Sequence, residues 1–336
     1  MHSFSWQDAT SVLDAQRAIN TTVSDLLGKS DSGKSVIKAG GIDLIDLMKE
    51  GLVKPDNIVN ILNIPNIKAF SFDIKSGLRL GAGMTLSEIE NNEYVKSEYP
   101  ALHQAVSLAA TPHIRNIATL GGNLAQRTRC WFFRSKHHEC IRKGSGTCYA
   151  QNDANEYHAI MNNDFCASVH ASSLSPALLI YNAQVEIAGE DDLRREVPLS
   201  EFFIHPTNNS SNENILKAGE IITAVIFPTH SKRTKAVYLK QMARESHDWP
   251  IAEVAVSAEV DGDNLKNPMI ILGSAAPIPI RAFAAEQSLS GQALSEASAL
   301  NAARVAMKDA TPLTKNAYKV FILKILIKRA ILSLVS

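Results

Sequence analysis

The order of apolar and polar positions predicts a helix at the start of the chain and a strand–turn–helix unit after it. Apolar residues between 6 and 27 recur at helical spacing and stop at a glycine, so this stretch is predicted to be one helix. A short apolar run over 36–39 leads into Gly40 and Gly41, and a second helical pattern covers 43–48. Such a unit can present backbone N–H groups and a helix N-terminus to a phosphate.

The rest of the chain mixes strand and helix patterns, which predicts an α+β fold. Strands are predicted at 57–62, 67–73, 78–82, 117–119, 184–188, 221–227, 236–241, 252–260 and 267–273. Helices are predicted at 86–91, at 101–109, at a helix end over 177–181, and as two or three segments after the last strand. A domain boundary is expected at 228–235, so the region after it is predicted to hold a three-stranded sheet with helices.

Two further segments have a distinctive composition. Residues 206–214 are rich in Asn, Ser and Thr and are predicted to be a flexible polar loop. Residues 317–335 are the most apolar stretch, but they carry four Lys or Arg residues. This stretch therefore predicts a buried or docking helix rather than a membrane span.

Composition excludes several classes of protein. The 336 residues carry 34 basic and 34 acidic side chains, and 45% are apolar, which is typical of a globular chain of two or three domains. Zero net charge argues against a general nucleic-acid or membrane-surface protein. The first residues lack the pattern of a targeting segment, so a cytoplasmic location is expected. The alternative is periplasmic, through co-export with a signal-bearing partner.

The four cysteines are clustered. Cys130, Cys140, Cys148 and Cys166 lie within 37 residues, with gaps of 9, 7 and 17 residues between them. An iron–sulfur cluster tolerates such irregular spacing. Structural zinc usually shows closely paired ligands, and disulfides require an oxidising compartment, but spacing alone leaves both open.

The charge around these cysteines is strongly positive. Between residues 115 and 143 there are seven basic residues and one acidic residue, whereas the whole chain is neutral. This excess is suited to an anion such as a thiolate-ligated cluster. The alternative is a solvated basic loop.

Two nucleotide motifs fail in their context. The segment from Gly28 to Ser35 fits the P-loop pattern completely, but a helix precedes it and a strand follows, which inverts the order a P-loop needs. The segment from Gly81 to Gly83 begins like a dinucleotide fingerprint, but Leu86 occupies the third glycine position. No hydrolytic triad, zinc-protease motif or carboxylate pair is evident, so no catalytic residue is assigned.

The two glycine turns carry a resemblance to a known family. The stretch Val36–Leu44 and the stretch Ile114–Leu124, with the sequence IRNIATLGGNL, resemble the two pyrophosphate loops of FAD-binding medium subunits of molybdenum hydroxylases. These subunits occur in xanthine dehydrogenase, carbon monoxide dehydrogenase and aldehyde oxidoreductase. Weaker similarities lie at 81–85, 219–222 and 273–277, so the resemblance covers nearly the whole chain.

The cysteine segment is similar to one branch of this family. FAD subunits of PaoABC-type aldehyde oxidoreductases carry a [4Fe–4S] cluster on four cysteines inserted just after the second glycine motif. The run from Gln126 to Cys130 and the order of the other three cysteines are similar to that insertion. The resemblance therefore implies that Cys130, Cys140, Cys148 and Cys166 bind a [4Fe–4S] cluster.

The resemblance implies a two-subdomain FAD-binding domain of the PCMH type over 1–228, divided near residue 56, with an iron–sulfur insertion over 130–166. A carbon monoxide dehydrogenase flavoprotein-like domain would cover 233–336. FAD would be bound by Val36, Ile37, Lys38, Ala39, Gly40, Gly41, Ile42, Asp43, Leu44, Thr111, Thr119, Gly121, Gly122, Asn123 and Lys240.

The implied function is that of an oxidoreductase subunit that transfers electrons. A molybdenum-cofactor large subunit would oxidise an aldehyde or N-heterocycle, and a small subunit with two [2Fe–2S] clusters would pass electrons to FAD in this chain. A subunit like that of 4-hydroxybenzoyl-CoA reductase, a structural zinc-binding flavoprotein, a stand-alone flavin oxidase and an ATP-binding protein are alternatives. The chain departs from the family at Ile42, where Thr is usual, and at Ser173, where Asp is usual.

Overall fold

The computed structural model describes residues 2–27, 32–245, 247–262 and 264–335. The first four residues of the P-loop-like turn, Gly28 to Asp31, lie outside these ranges. The chain divides into two compact units, each built from three separate segments. The first unit contains residues 1–88, 112–148 and 183–229, and the second contains 89–111, 149–182 and 230–336.

The chain contains runs of strands and runs of helices. The described strands are β1 (Ser5–Asp8), β2 (Ser35–Lys38), β3 (Asn57–Asn60), β4 (Phe70–Asp73), β5 (Gly77–Gly81), β6 (Gln184–Ala188), β7 (Arg194–Pro198), β8 (Ile221–Phe227), β9 (Thr234–Met242), β10 (Pro250–Asp261), β11 (Asn264–Gly273) and β12 (Ile280–Arg281). The described α-helices are α1 (Val12–Ala18), α2 (Ile42–Lys49), α3 (Leu86–Glu90), α4 (Glu93–Glu98), α5 (Pro100–Ser107), α6 (Pro112–Arg115), α7 (Leu120–Ala125), α8 (Trp131–Arg134), α9 (Leu174–Leu179), α10 (Leu199–Phe202), α11 (Phe283–Leu289), α12 (Glu296–Ala306) and α13 (Tyr318–Leu332).

The N-terminal helix predicted over 6–27 is wrong in its extent. The residues before 9 form β1, which pairs in parallel with β3 and places Trp6 opposite Ile58. Only Val12–Ala18 is helical, and the Ser11 side chain caps this helix by accepting the Asp14 N–H. Pairing with a strand some fifty residues away overrides the local helical spacing, because tertiary contacts outweigh weak propensities.

The first unit contains two sheets. A three-stranded parallel sheet has the order β1-β3-β2, and an antiparallel sheet has the order β4-β5-β8-β6-β7. One core cluster joins α1 and β3 to the ends of β6 and β8, through residues that include Val12, Val59, Ala188 and Ile221. A second cluster packs α2 under β2 and β3 and includes Phe133 and Cys140 of the cysteine segment.

The second unit is built on one antiparallel sheet of the order β12-β11-β10-β9. The predicted three long strands are present, and the two-residue β12 adds a fourth strand at the edge of the sheet. The helices α11, α12 and α13 bury alanine and leucine side chains against this sheet in one core cluster. The predicted C-terminal helix over 317–335 thus buries one face, whereas Phe321 and Ile325 are exposed on the other.

The helix α13 has a lysine inside the core. Lys319 is fully buried, and its ammonium donates to the carbonyl oxygens of Tyr157, His158 and Ser274 at 3.1, 2.8 and 2.8 Å. Burial lowers the pKa of Lys319 to about 7.

Within the described ranges, none of the helices has the length and hydropathy that a membrane crossing needs.

Candidate functional site

The first predicted phosphate loop is the turn between β2 and α2. The strand β2 pairs in parallel with β3 and buries Val36 in the core. Gly41 then adopts a left-handed backbone conformation, with φ 82°, and is the N-cap residue of α2. Glycine adopts this conformation without steric cost, so the chain turns sharply from strand into helix here, as predicted.

The first turn of α2 keeps backbone donors open. The glycine N-cap provides no side-chain hydrogen bond, and the first intrahelical bond runs from the Ile45 N–H to the Gly41 carbonyl at 2.9 Å. The N–H groups that precede Ile45 in the helix have no intrahelical acceptor. Together with the partial positive charge of a helix N-terminus, they form a site suited to a phosphate.

Lys38 adds a full positive charge beside this turn. Its stem passes so close to Gly41 that a Cβ there would lie 2.7 Å from the Lys38 Cε atom. The Lys38 ammonium lies 5.0 Å from the centre of the Trp6 ring. Burial lowers the pKa of Lys38, while the charge of Asp8 raises it. Trp6 and Asp8 belong to β1, so the strand that sequence reasoning missed forms part of these surroundings.

The second glycine pair has a different geometry from the one predicted. Gly121 and Gly122 lie inside α7, and Thr119 before them forms an isolated bridge with Thr85 rather than a strand. The Gly121 N–H donates to the Ala82 carbonyl at 2.8 Å, and the Gly122 N–H donates to the Thr119 hydroxyl at 3.2 Å. These two donors are therefore used within the protein.

The absence of a side chain at Gly121 lets the helix approach the preceding segment. A Cβ at this position would lie 2.9 Å from the Cβ of Ala82, which is closer than such atoms approach in proteins. Asn123, the polar residue that follows the pair, is partly buried on the same helix. The structure thus gives Gly121 a packing role, and the N–H groups of α2 are the more open phosphate donors.

The structure brings the two predicted loops together. A Cβ at Gly40 would overlap the carbonyl oxygen of Ile117, and it would lie 3.3 Å from the Cα of Ala118. The segment just before the second glycine pair therefore packs directly on the first glycine loop. This contact joins stretches about eighty residues apart in the sequence, as two halves of one cofactor site require.

Two of the predicted FAD contacts, Thr111 and Lys240, belong to the second unit. Lys240 lies on β9, and its ammonium donates to the Leu108 carbonyl at 2.9 Å. Burial lowers the pKa of Lys240, and the carboxylates of Glu253 and Asp248 raise it.

At Ser173, where the family usually has Asp, the buried side chain hydrogen-bonds with the Tyr238 hydroxyl. Ile42, the other departure, is partly buried in the first turn of α2.

The four cysteines are thiols in the structure. Cys130 and Cys140 take part in the hydrophobic cluster under α2, together with Phe133. Burial lowers the pKa of Lys143, and the neighbouring thiols of Cys140 and Cys130 act in the opposite direction.

Lys143 also holds the intervening turn. Its ammonium donates to the carbonyl oxygens of Phe132 and Ser135 at 3.1 and 2.6 Å.

The other two cysteines are Cys148 and Cys166. Cys148 is partly buried, and Cys166 belongs to the second unit and contacts the Ser168 hydroxyl at 3.3 Å. The described parts of the chain contain no group of three or more His, Cys, Asp or Glu side chains arranged for a metal ion.

The basic residues between 115 and 143 are buried or partly buried, apart from the exposed Lys136. Arg142 is 1% exposed and Arg127 is 3% exposed, and both form ion pairs with the buried carboxylate of Glu213. Glu213 lies in the stretch 206–214 that was predicted to be a polar loop; the stretch contains neither helix nor strand, but this carboxylate is buried. Burial excludes water from these guanidinium groups, and the shared carboxylate compensates part of their charge.

A second set of ion pairs connects the cysteine segment to α2. Arg134 donates to Asp43 at 2.5 Å and to Asp46 at 2.9 Å, and Arg129 lies 2.9 Å from Asp43. Sequence reasoning counted the arginines but missed these partners, and it assigned Asp43 to the cofactor. The spacing of two carboxylates on one helix face was the signal that could have indicated a shared basic partner.

Two family models match this chain. A family model described as the FAD binding domain in molybdopterin dehydrogenase matches residues 2–230. A second model, described as the CO dehydrogenase flavoprotein C-terminal domain, matches residues 237–334. The first match ends at residue 230, and the second begins at residue 237.

Individual relatives match along most of their length. The chain is 29% identical to the aldehyde oxidoreductase FAD-binding subunit PaoB of Escherichia coli K12, over 91% of this chain and 93% of the relative. It is 24% identical to the carbon monoxide dehydrogenase medium chain of Hydrogenophaga pseudoflava, over 89% and 86%. The solved carbon monoxide dehydrogenase from Hydrogenophaga pseudoflava is similar in fold, with a TM-score of 0.73 at 22% identity over 99% and 97% of the two chains.

Proposed function

Because this chain belongs to the family of FAD-binding medium subunits of molybdenum hydroxylases, we propose that it is the electron-transfer subunit of an aldehyde- or xanthine-type oxidoreductase. In this role it would assemble with a molybdenum-cofactor large subunit and a [2Fe–2S] small subunit. It would receive electrons from the small subunit and deliver them to an acceptor. Substrate oxidation would take place on the large subunit, so this chain needs no substrate base of its own.

The observation that supports this proposal most directly is the contact between the two glycine loops. Gly40 packs on the carbonyl of Ile117, so stretches that resemble the two pyrophosphate loops of the family form one surface. The open N–H groups at the start of α2 and the ammonium of Lys38 supply donors and charge for a diphosphate at this surface. Bound FAD supplies two-electron and one-electron redox chemistry, whereas the protein positions it.

We propose that the predicted FAD contacts have two different roles. The first turn of α2, from Gly41 to Leu44, binds the pyrophosphate through backbone N–H groups. Thr119 and Gly121 shape the opposite wall, because the Thr119 hydroxyl caps α7 and Gly121 lets that helix pack closely. A phosphate site made of backbone N–H groups does not depend on whether residue 42 is Thr, as is usual in the family, or Ile, as in this chain. The N–H group is present in every residue except proline.

We also propose that Cys130, Cys140, Cys148 and Cys166 bind a [4Fe–4S] cluster. The support is chemical: four thiols occur in a short segment, and a lysine ammonium lies near two of them. Cationic neighbours favour thiolate over thiol and stabilise an anionic cluster. Similarity to PaoB, an aldehyde oxidoreductase subunit, makes the aldehyde-type enzyme the favoured assembly.

The test is the flavin and metal content of the anaerobically purified full chain, together with its visible absorbance spectrum. We expect about one FAD and about four irons per chain. Substitution of Cys140→Ser is expected to remove the iron and to leave the flavin bound, because Cys140 lies outside the glycine loops. A Ser97→Ala variant, which changes an exposed hydroxyl on α4, serves as a control that keeps both cofactors.

Two other results would contradict the proposal, one for the metal and one for the flavin. Zinc without iron would assign the cysteines to a structural metal site and would leave the flavin proposal intact. A chain that binds no flavin, even after reconstitution with FAD, would overturn the proposed electron-transfer role.

A further inference from the structure

The contacts between α2 and the cysteine segment give Asp43 an unusual position. This residue lies in the first turn of α2, immediately after the glycine loop, and its side chain is 18% exposed. One oxygen of its carboxylate accepts the backbone N–H of Arg127 at 2.8 Å. The other accepts from Arg134 at 2.5 Å and lies 2.9 Å from Arg129. Both oxygens therefore face the protein.

The partners of Asp43 surround Cys130 on both sides in the sequence. Arg127 and Arg129 precede this cysteine, and Arg134 ends the short helix that begins after it. The Arg134 guanidinium also donates to the Thr128 and Arg127 carbonyls at 2.9 and 3.1 Å. The backbone from 127 to 134 is thus folded around a single carboxylate.

The same segment is held by packing. The guanidinium groups of Arg127 and Arg134 lie over the Phe133 ring, at 4.9 and 5.7 Å from its centre. Phe133 is fully buried in the cluster that also contains Leu44 and Leu47 of α2. Charge-assisted hydrogen bonds to a partly buried carboxylate are stronger and more directional than neutral ones, so they fix the register of the segment on this apolar contact.

We propose that Asp43 is a positioning residue that ties the segment 127–134 to the helix of the first glycine loop and thereby sets the environment of the Cys130 thiol. The inference rests on the proposed function in one respect, namely that Cys130 is a cluster ligand. Asp43 then links the two cofactor regions of this chain, since its backbone belongs to one and its side chain holds the other.

Loss of this carboxylate releases the segment that contains Cys130. Without Asp43 the segment loses the acceptor of three donors and opens more often. Opening exposes the Cys130 sulfur, so its reactivity toward an alkylating reagent rises, because the reagent must reach the sulfur atom.

The test measures iodoacetamide alkylation of each cysteine in the full chain stripped of metal, followed by mass spectrometry of the peptides. For Asp43→Asn we expect alkylation of Cys130 to become about tenfold faster, while Cys166 in the second unit keeps its rate. Glu50→Gln removes a carboxylate from the end of the same helix and is expected to leave both rates unchanged. Asp43→Glu, which restores the charge, is expected to recover most of the protection.

A second variant keeps the inference testable if Asp43→Asn does not fold. Arg134→Gln removes the other end of the same ion pair and is expected to accelerate Cys130 selectively as well. The double variant is expected to be no faster than the faster single variant, because both substitutions break one shared network.

A folded Asp43→Asn protein in which Cys130 reacts at the wild-type rate would overturn the inference. Equal acceleration of all cysteines would also overturn it, since that result indicates general destabilisation. Cofactor content is measured on the same preparations. Absence of both flavin and iron from the wild-type protein would count against the proposed function, whereas the selective labelling would still decide the role of Asp43.

Discussion

At Gly40 a single missing side chain decides whether two distant stretches can meet. Glycine here does not serve an unusual backbone conformation, because its φ is not in the left-handed region. Its role is to leave room for the carbonyl of Ile117, which would overlap any Cβ. At the neighbouring Gly41, glycine is required for its backbone conformation, because the φ angle of this residue is left-handed. Two adjacent glycines are therefore required for two different physical reasons.

Substitution of Gly40→Ala is expected to force the two glycine loops apart. Overpacking of this kind costs about 2–3 kcal/mol of unfolding free energy, and FAD affinity is expected to fall with it. Thermal unfolding and flavin titration check both effects. Gly146→Ala is the matched control, since a Cβ there meets no atom within 4 Å. Equal stability and flavin binding in the two variants would show that the loops do not depend on this contact.

His158 makes stability depend on pH. It is almost fully buried, and burial, followed by the charge of Lys319, lowers its pKa to about 4 from a usual value of 6.5. Between these values the unfolded chain binds a proton that the folded chain does not. The stability contribution is therefore present above about pH 6.5 and is lost as the pH falls toward 4.

In wild-type protein we expect this residue to account for a loss of roughly 3 kcal/mol of unfolding free energy from pH 7 to pH 4. His158→Gln is expected to flatten this part of the profile, and the exposed His113→Gln is expected to leave it unchanged. Urea unfolding at several pH values measures the difference. Parallel profiles for wild type and His158→Gln would contradict the assignment.

At the scale of elements, sequence patterns succeed where the local signal and the tertiary environment agree. The strands 184–188 and 221–227 lie in the interior of a sheet, and their bounds match the prediction to the residue. The residues 6–27 show the opposite case, because parallel pairing of β1 with β3 outweighs helical spacing. Short strands that depend on a distant partner leave no periodic pattern, so sequence alone could not separate β1 from the helix after it.

In the candidate site too, features with a local sequence signal were predictable, whereas features set by distant contacts were not. The first glycine loop has a strong local signature, so its turn and helix were predictable from the residues between 36 and 48. The ion pairs of Asp43 with Arg134, and of Glu213 with Arg142, join positions about seventy to ninety residues apart. Their side chains look like ordinary surface charges in the sequence, and only the fold shows that they are buried and paired.

The helix α13 depends on a buried cation at its start. Substitution of Lys319→Met removes an ammonium that donates to three carbonyl oxygens. The His158 carbonyl keeps the Asn316 amide as a donor, whereas the buried Ser274 carbonyl loses its lysine donor. We expect a loss of about 2–4 kcal/mol of unfolding free energy. Lys324→Met on the partly exposed face of the same helix is the control and is expected to cost little. Urea unfolding measures both, and equal midpoints would contradict a structural role for the buried ammonium.

At the scale of the molecule, the two compact units do not follow the two family matches along the chain. Residues 89–111 and 149–182 lie within the FAD-binding family match but belong to the second unit. Within that unit, Gln104 accepts the N–H of Tyr238, and Ile160 donates its N–H to the Ala275 carbonyl. The second unit is therefore completed only by residues after 230.

A chain that ends at residue 228 is expected to be unable to fold completely. It would contain the helices α5 and α9 without β9 and β11, against which they pack. The apolar faces of these helices would then be exposed to water, at a cost of about 25 cal/mol per Å². Binding of a hydrophobic dye and poor solubility are the measurements. The control is the same chain supplied with residues 230–336 as a separate polypeptide, which is expected to reduce dye binding.

The interleaving of the two units also determines when the protein can mature during its synthesis. A ribosome delivers the chain from the N-terminus, so the segments 89–111 and 149–182 emerge before residues 230–336, which complete the same unit. The first unit can close once residue 229 has emerged, whereas the second must wait for α13 at the end of the chain. Nascent chains thus pass through a stage in which all segments of the first unit have emerged, while Cys166 still lacks part of the unit to which it belongs.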